Sequence, residues 1–156
     1  MPPRMPQVQA QAGFTLVELM IVVVITAILA GLAAPSFEAI IESQRAKSAA
    51  VDLYISLTRA RSEAVKRNTN MTLTPKSGNW ASGWQMLDPV SSAVIDDHDA
   101  VRTIAIAGPA SVTYQGSGRI QGTAAPNFAV TGSQAASARC VAVDLSGRPN
   151  IRSGSC

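Results

Sequence analysis

An apolar segment of 21 residues, residues 14–34, lies near the start of the chain and contains one charged side chain, Glu18. A helix in a soluble protein rarely stays apolar on every face over this length, because one of its faces normally meets water. About 20 such residues are enough for a helix to cross a bilayer. The segment therefore predicts a membrane-spanning helix over residues 14–34, with the rest of the chain outside the bilayer.

The residues before this segment, 1–13, form a short polar stretch whose one charged residue is Arg4. Positive charge before a span favours an orientation in which the N-terminus stays in the cytoplasm. The sequence therefore predicts a single-pass protein whose later residues lie outside the cytoplasm.

Three interpretations of the apolar segment differ in what they make of Glu18. A secretory signal needs an uninterrupted apolar core before a small-residue cleavage site, for which residues 31–33 are the best match, and a carboxylate in that core is unexpected. In a plain anchor, inserting Glu18 costs about 2.5–3.5 kcal/mol at mid-bilayer and less near an interface, and no interaction offsets this cost. If the chain is cut between Gly13 and Phe14, Glu18 lies about 6 Å along the helix from a new, positively charged amino terminus. The third interpretation gives the carboxylate a partner.

The hexapeptide GFTLVE at residues 13–18 resembles the class III signal of type IV pilins and type II secretion pseudopilins. The resemblance implies that a prepilin peptidase cuts after Gly13 and methylates Phe14, and that Glu18 pairs with the N-terminus of a neighbouring subunit. Pro35 stands where pilins commonly carry a helix-kinking proline. A proline inside a helix removes one backbone donor and clashes with the preceding turn, so a bend is expected there.

The same resemblance implies a location and a set of partners. The precursor would be a single-pass protein of the bacterial inner membrane, in contact with lipid and with its C-terminal domain in the periplasm. It would meet the prepilin peptidase and an inner-membrane assembly platform. It would then join other pilins or pseudopilins in a filament.

Residues 35–68 change to an amphipathic pattern, for which we expect a helix continuous with the apolar segment. Its apolar positions recur at helical spacing: Ala46, Ala50, Leu53, Leu57, Ala60 and Ala64. From residue 69 onward, turn-forming residues alternate with short β-prone runs, namely 71–74, 84–87, 101–106, 112–114, 128–130 and 139–145. A helix followed by strands predicts an α+β fold, with a largely antiparallel sheet or sandwich packed on the second half of the helix. Aromatic residues make up only 4% of the chain, so Trp80 and Trp84 are expected to be its large core anchors.

Three further segments resemble the GspH/FimT branch of minor pilins and pseudopilins: ARSEAVKRN at 60–68, GW at 83–84 and SGR at 146–148. The resemblance covers nearly all of the mature chain and is sparse in its middle. Relatives often carry a cysteine at the position of Thr74. Its absence here implies that Cys140 and Cys156 pair with each other.

The two cysteines also point to a disulfide on independent grounds. An even pair in a translocated domain suggests one bond, and closing a loop of about 15 residues stabilises by roughly 3 kcal/mol. Two unrelated thiols are the alternative.

The last third of the chain is basic, because residues 101–156 contain five arginines and a single acid, Asp144. Arg148 and Arg152 are expected to flank a turn at Pro149 and to expose their guanidinium groups to a polyanion. FimT-type minor pilins are associated with DNA uptake through a C-terminal Gly-Arg motif, which Gly147, Arg148 and Arg152 resemble, although Pro149 and Asn150 intervene where a tighter arginine spacing is expected. Double-stranded DNA is therefore a candidate partner, with Arg148, Arg152 and Arg119 as candidate contacts. The alternative is that these arginines keep the domain soluble or contact neighbouring pilins.

No residue pattern favours catalysis. The one histidine, His98, lies in an acidic cluster at residues 96–99, for which we expect a solvated turn rather than a cation site, because no Gly-bearing calcium loop surrounds it. We expect no metal, no cofactor and no enzymatic activity. The predicted function is that of a minor pilin-like subunit, near the tip or in the priming complex of a type IV pilus or a type II secretion pseudopilus. The alternative is a pseudopilin that acts only in protein secretion and binds no DNA.

Overall fold

The first element described in the computed structural model is a long helix, α1 (Leu16–Arg67). The structure describes residues 13–133 and 137–156, and of residues 32–36 it describes the backbone but not the side chains. Within these ranges eight strands follow the helix: β1 (Met71–Pro75), β2 (Trp84–Leu87), β3 (Val94–His98), β4 (Ala105–Ala107), β5 (Val112–Tyr114), β6 (Asn127–Thr131), β7 (Arg139–Val143) and β8 (Pro149–Ser153). Two short 3-10 turns, Lys76–Gly78 and Trp80–Ser82, connect β1 to β2.

The helix contains Pro35 within its bounds, so the predicted continuity of residues 14–34 with the amphipathic segment is confirmed. The kink predicted at Pro35 falls where side chains lie outside the described part, and it stays a prediction. The predicted leader, apart from Gly13, also lies outside the described residues. By contacts the chain divides into a first unit ending at Phe37 and a second unit, Glu38–Cys156.

Across the described part of the chain, no helix combines the length and the apolar character that a membrane crossing requires. The bilayer span predicted for residues 14–34 is therefore not confirmed.

The C-terminal end of α1 is closed by a Schellman motif. The backbone N–H of Asn68 donates to the carbonyl of Val65 (3.3 Å), and that of Thr69 donates to the carbonyl of Ala64 (3.2 Å). Asn68 takes φ 48°, the left-handed conformation that asparagine tolerates better than most residues. The chain therefore turns into β1 with the last helical carbonyls satisfied.

The strands form two four-stranded sheets, with strand orders β3-β2-β1-β5 and β4-β6-β7-β8. Within each sheet, all the described pairings of neighbouring strands are antiparallel. This arrangement confirms the predicted α+β class and the predicted antiparallel sheets on the second half of the helix.

The core of the second unit forms where the apolar stripe of α1 meets the inner faces of both sheets. All six predicted stripe residues are buried: Ala46, Ala50, Leu53, Leu57, Ala60 and Ala64. Trp80 and Trp84 are buried as well, and Trp80 meets Phe128 edge-on with ring centroids 4.8 Å apart. The Trp80 indole N–H donates to the carbonyl of Pro109 (2.7 Å), so its polar end is satisfied inside the core.

Three local predictions are wrong. Residues 96–98 lie in strand β3 rather than in a solvated turn. The strand predicted for 101–106 is limited to β4, because Thr103 takes φ 63° and ends the extended run before it. Pro149 does not form a turn between Arg148 and Arg152. It begins the edge strand β8, a position that accepts proline because its missing N–H is not needed there.

Candidate functional site

The N-terminal end of α1 carries a reciprocal capping box. The backbone N–H of Glu18 donates to Thr15 Oγ1 (3.2 Å), while the N–H of Thr15 donates to Glu18 Oε2 (3.5 Å). The pattern Thr-x-x-Glu allows each side chain to satisfy a helix-end N–H of the other residue. The carboxylate of Glu18 is thereby held at the start of the helix, four residues after Phe14. The Thr-x-x-Glu spacing was available in the sequence and would have predicted this cap.

Apolar side chains surround the first part of the helix without being covered. Phe14 is 86% exposed, and the large apolar residues that follow it are all more than half exposed: Leu16, Val17, Leu19, Met20, Ile21, Val22, Val23, Val24, Ile25, Ile28 and Leu29. An exposed apolar surface of this extent marks a contact with another protein or with lipid. This part of α1 is therefore a candidate assembly surface.

Gly83 and Trp84 have structural roles in joining the helix to the first sheet. Gly83 takes φ 95°, and a Cβ at this position would lie 2.2 Å from the carbonyl oxygen of His98. The indole N–H of Trp84 donates to Ser56 Oγ of α1 (2.9 Å), and both side chains are buried. This pair of residues therefore anchors β2 and lets β3 approach it closely.

The acidic cluster around His98 attaches β3 to α1. The imidazole of His98 stacks on the Trp84 indole, with centroids 3.9 Å apart and planes 7° apart. Its Nε2 lies 3.4 Å from Asp52 Oδ2, and Asp96 pairs with Arg59 at 2.7 Å. These side chains make β3 an ordered edge strand. In residues 13–133 and 137–156, no group of three or more ligand side chains could hold a metal ion.

Two glycine turns from distant parts of the sequence touch each other at one end of the second unit. Gly147 takes φ 84°, and a Cβ added to it would lie 2.0 Å from the carbonyl oxygen of Gly118. The backbone N–H of Ile120 donates to the carbonyl of Leu145 (3.4 Å), which joins the same two turns. Only glycine fits at position 147, because both its φ and its neighbour exclude a side chain. The glycine of the SGR segment is therefore structural.

This contact brings Arg119 and Arg148 onto adjacent turns. Each follows one of the two touching glycines, and both residues are exposed. Arg152 is exposed too but lies in β8, where it pairs with Cys140 of β7. Among the described residues, the guanidinium groups of these three arginines make no hydrogen bond or ion pair. The structure therefore brings together two of the three predicted candidates and places the third farther along an edge strand.

Asp144, the single acid of residues 101–156, is engaged in the second of these turns. It accepts hydrogen bonds from the Ser146 hydroxyl and from the backbone N–H of Arg148. The Ser146 hydroxyl lowers the pKa of the Asp144 carboxyl the most, and the Arg148 backbone N–H and charge add to this effect. Asp144 thus stays ionised as a turn cap.

The predicted disulfide is confirmed. Cys140 of β7 bonds to Cys156, with Cα atoms 5.0 Å apart and a sequence separation of 16 residues. The bond fastens the chain after β8 to the strand beside it. The exposed edge strand that carries Arg152 is therefore held at its C-terminal end.

One long helix whose second half packs on antiparallel sheets, preceded by an uncovered apolar helical start, defines the class of type IV pilin-like subunits. The family model described as type II transport protein GspH matches residues 49–147, and this chain belongs to that family. A second model, the prokaryotic N-terminal methylation motif, matches residues 9–34. The family is one of structural pilin subunits, which is not an enzyme class, and its members are components of a membrane-anchored pilus or pseudopilus.

Two solved structures share the fold. Both are crystal forms of the type IV minor pilin FimU of Pseudomonas aeruginosa, each with a TM-score of 0.61 and 23% sequence identity. The similarity covers 68% of this chain and 87% or 91% of the FimU chains. At this identity the likeness establishes the fold alone. No curated protein sequence matches the chain significantly.

Proposed function

We propose that this chain is a minor pilin-like subunit that enters a filament through the apolar start of α1, in the tip or priming complex. The observation that carries the proposal is the uncovered apolar surface of residues 14–29 beside the capped carboxylate of Glu18. An apolar helix of this kind gains its burial from lipid before assembly and from the helices of neighbouring subunits afterwards. The match to the methylation motif supports the same proposal of a pilin-like subunit.

The processing steps belong to the same proposal. A prepilin peptidase removes residues 1–13 and methylates the amino group of Phe14. In the filament, the new amino terminus of one subunit pairs with Glu18 of its neighbour. Before assembly the chain is a single-pass protein of the inner membrane with its C-terminal domain in the periplasm, where it meets the assembly platform. The disulfide supports this location, because such bonds persist in oxidising compartments.

N-terminal mass analysis of the mature chain tests the processing proposal. The expected product begins at methylated Phe14. A product that begins after Ala33 would indicate a secretory signal instead, and an unprocessed chain would indicate a plain anchor. The variant Gly13→Ala should accumulate uncut, whereas Gly31→Ala, which changes a glycine on the other side of the cut, should be processed normally.

Pilus and secretion roles can be separated by deletion of the gene. A pilus subunit predicts loss of surface filaments with secretion intact. A pseudopilin that acts only in protein secretion, and binds no DNA, predicts the reverse. Complementation with the unaltered gene should restore whichever function is lost.

A second candidate function is binding of double-stranded DNA by the basic end of the second unit. It is favoured by Arg119 and Arg148, which stand exposed on touching turns and whose guanidinium groups form no ion pair among the described residues. Contacts to phosphates are independent of DNA sequence and weaken steeply with salt. Titration with duplex DNA at low ionic strength should give binding that Arg148→Ala and Arg152→Ala weaken. No binding, or binding unchanged in both variants, would remove this function.

A further inference from the structure

Arg61 of α1 lies beneath the two touching glycine turns and donates a hydrogen bond to each. Its Nε donates to the carbonyl of Gly118 (3.0 Å), and one of its terminal nitrogens donates to the carbonyl of Ser146 (3.3 Å). Among the described residues no carboxylate forms an ion pair with Arg61, which is half-buried. Its guanidinium is thus used to hold backbone rather than to neutralise an acid.

Each turn is closed by its own hydrogen bonds. In the first turn, residues 115–119, the N–H of Gln115 donates to the carbonyl of Arg119 (2.9 Å). In the second turn, residues 144–148, the N–H of Asp144 donates to the carbonyl of Arg148 (3.1 Å). We call the two turns together the two-turn ridge. The first turn follows β5 of one sheet and the second joins β7 to β8 of the other sheet. Arg61 and the direct contacts between the turns therefore tie the two sheets together at this end.

We propose that the two-turn ridge is a single phosphate-binding surface, in which Arg119 and Arg148 contact the polyanion and Arg61 is the positioning residue. The proposal rests on the proposed DNA-binding function and specifies its site. It differs from binding by a linear C-terminal motif, because Arg119 comes from a turn about 30 residues earlier. Arg152 lies roughly 13 Å farther along extended chain and is outside the ridge.

The geometry of the guanidinium explains why arginine is required at position 61. Its planar group presents donors in fixed, divergent directions, which lets one side chain bond to two carbonyls from different turns. A lysine carries the same charge, but all its donors sit on one atom. The variant Arg61→Lys therefore keeps the charge of the ridge while loosening the joint between the turns.

The experiment measures binding of the full-length chain, in a mild detergent, to a 20-base-pair DNA duplex by fluorescence anisotropy over a range of salt concentrations. Each phosphate contact contributes about 0.9 to the slope of log affinity against log salt. Arg119→Ala and Arg148→Ala should each reduce the slope by about 0.9, and Arg61→Lys should approach the double loss of about 1.8. Arg102→Ala is the matched control, because it removes one exposed arginine elsewhere and should leave the slope unchanged.

The outcomes separate this proposal from the function on which it rests. If the unaltered chain does not bind the duplex, the DNA-binding function fails and the ridge proposal fails with it. If it binds and Arg119→Ala behaves like Arg102→Ala, the composite ridge is overturned while DNA binding stands. If Arg119→Ala weakens binding but Arg61→Lys keeps full affinity, the positioning role of Arg61 is overturned. Thermal unfolding of each variant identifies any that fails to fold, and in that case the comparison of Arg119→Ala with Arg102→Ala still decides whether the ridge is composite.

Discussion

Removing the disulfide should destabilise the second unit without changing its fold. The variant Cys140→Ala/Cys156→Ala eliminates a bond that joins residues 16 positions apart. In the chain-entropy model, opening a loop of this length gives the unfolded chain about 3 kcal/mol of additional freedom. The free energy of unfolding is therefore expected to fall by about 3 kcal/mol.

Urea unfolding of the full-length chain in a mild detergent, followed by the fluorescence of the buried tryptophans, measures this loss. Small domains lose about 1–3 kcal/mol of stability per molar urea, so the midpoint should fall by about 1–3 M. Trp80 and Trp84 both report on the core of the second unit. Reduction of the unaltered chain is the control, since it opens the same loop without changing the packing around the buried Cys140.

Equal midpoints for the oxidised and reduced chains would refute the reasoning, because they would mean that the bond does not restrict the unfolded chain. A loss in the double variant but not on reduction would assign the effect to the packing of Cys140 instead. The expected result is a similar loss in both experiments.

Three other changes test the packing and the turns. Ser56→Ala leaves the buried Trp84 indole N–H without a partner, which should lower the free energy of unfolding by about 1–3 kcal/mol. The better helix propensity of alanine offsets about a few tenths of a kcal/mol of this loss, and urea midpoints measure the net change. Gly147→Ala should lower stability by more than about 1 kcal/mol, because φ is 84° and a Cβ would strike the Gly118 carbonyl; thermal unfolding measures it. Asp88→Asn should lower the melting temperature at pH 7, and the difference from the unaltered chain should shrink below about pH 4.

The sign of the Asp88 prediction follows from its surroundings. Backbone N–H groups of Ser91 and Val90 lower the pKa of the Asp88 carboxyl, and the charge of Arg67 adds to the effect. A carboxyl with a lowered folded pKa stabilises the fold above its unfolded pKa and loses that contribution as the pH falls through the folded value. A pH-independent difference would contradict this account.

Matched controls exist for the other two changes. Ser62→Ala alters an exposed serine of the same helix and should be neutral or slightly stabilising. Gly78→Ala alters a glycine at φ 71° with no atom within 4 Å of the added Cβ, so it isolates backbone strain from the clash at position 147. Equal losses at Gly78 and Gly147 would show that the Gly118 contact costs nothing.

Periodicity and local chemistry were enough to predict much of this fold. The helical spacing of apolar residues predicted the buried stripe of α1, because a helix places such residues on one face whatever they pack against. The even pair of cysteines predicted the disulfide between Cys140 and Cys156. The cap formed by Thr15 and Glu18 could also have been predicted, because all of its atoms lie within four residues.

What sequence reasoning missed depends on contacts between distant residues. Strand β3 has acidic residues and a histidine that suggest a loop, but Arg59 and Asp52 of the helix give Asp96 and His98 partners. The role of Arg61 is invisible in the sequence, since the carbonyls to which it donates lie 57 and 85 residues away. Local patterns carry no information about such pairings.

The assembly role of Glu18 is the central claim, and the variant Glu18→Ala tests it most directly. The measurement is the amount of the chain in purified filaments relative to the amount in the membrane fraction, with N-terminal mass analysis of both. The control is Glu38→Ala, which removes an exposed glutamate farther along the same helix. We predict that Glu18→Ala is still cut and methylated at Phe14 but is largely absent from filaments, while Glu38→Ala enters them normally. Normal incorporation of the Glu18→Ala chain would contradict the account.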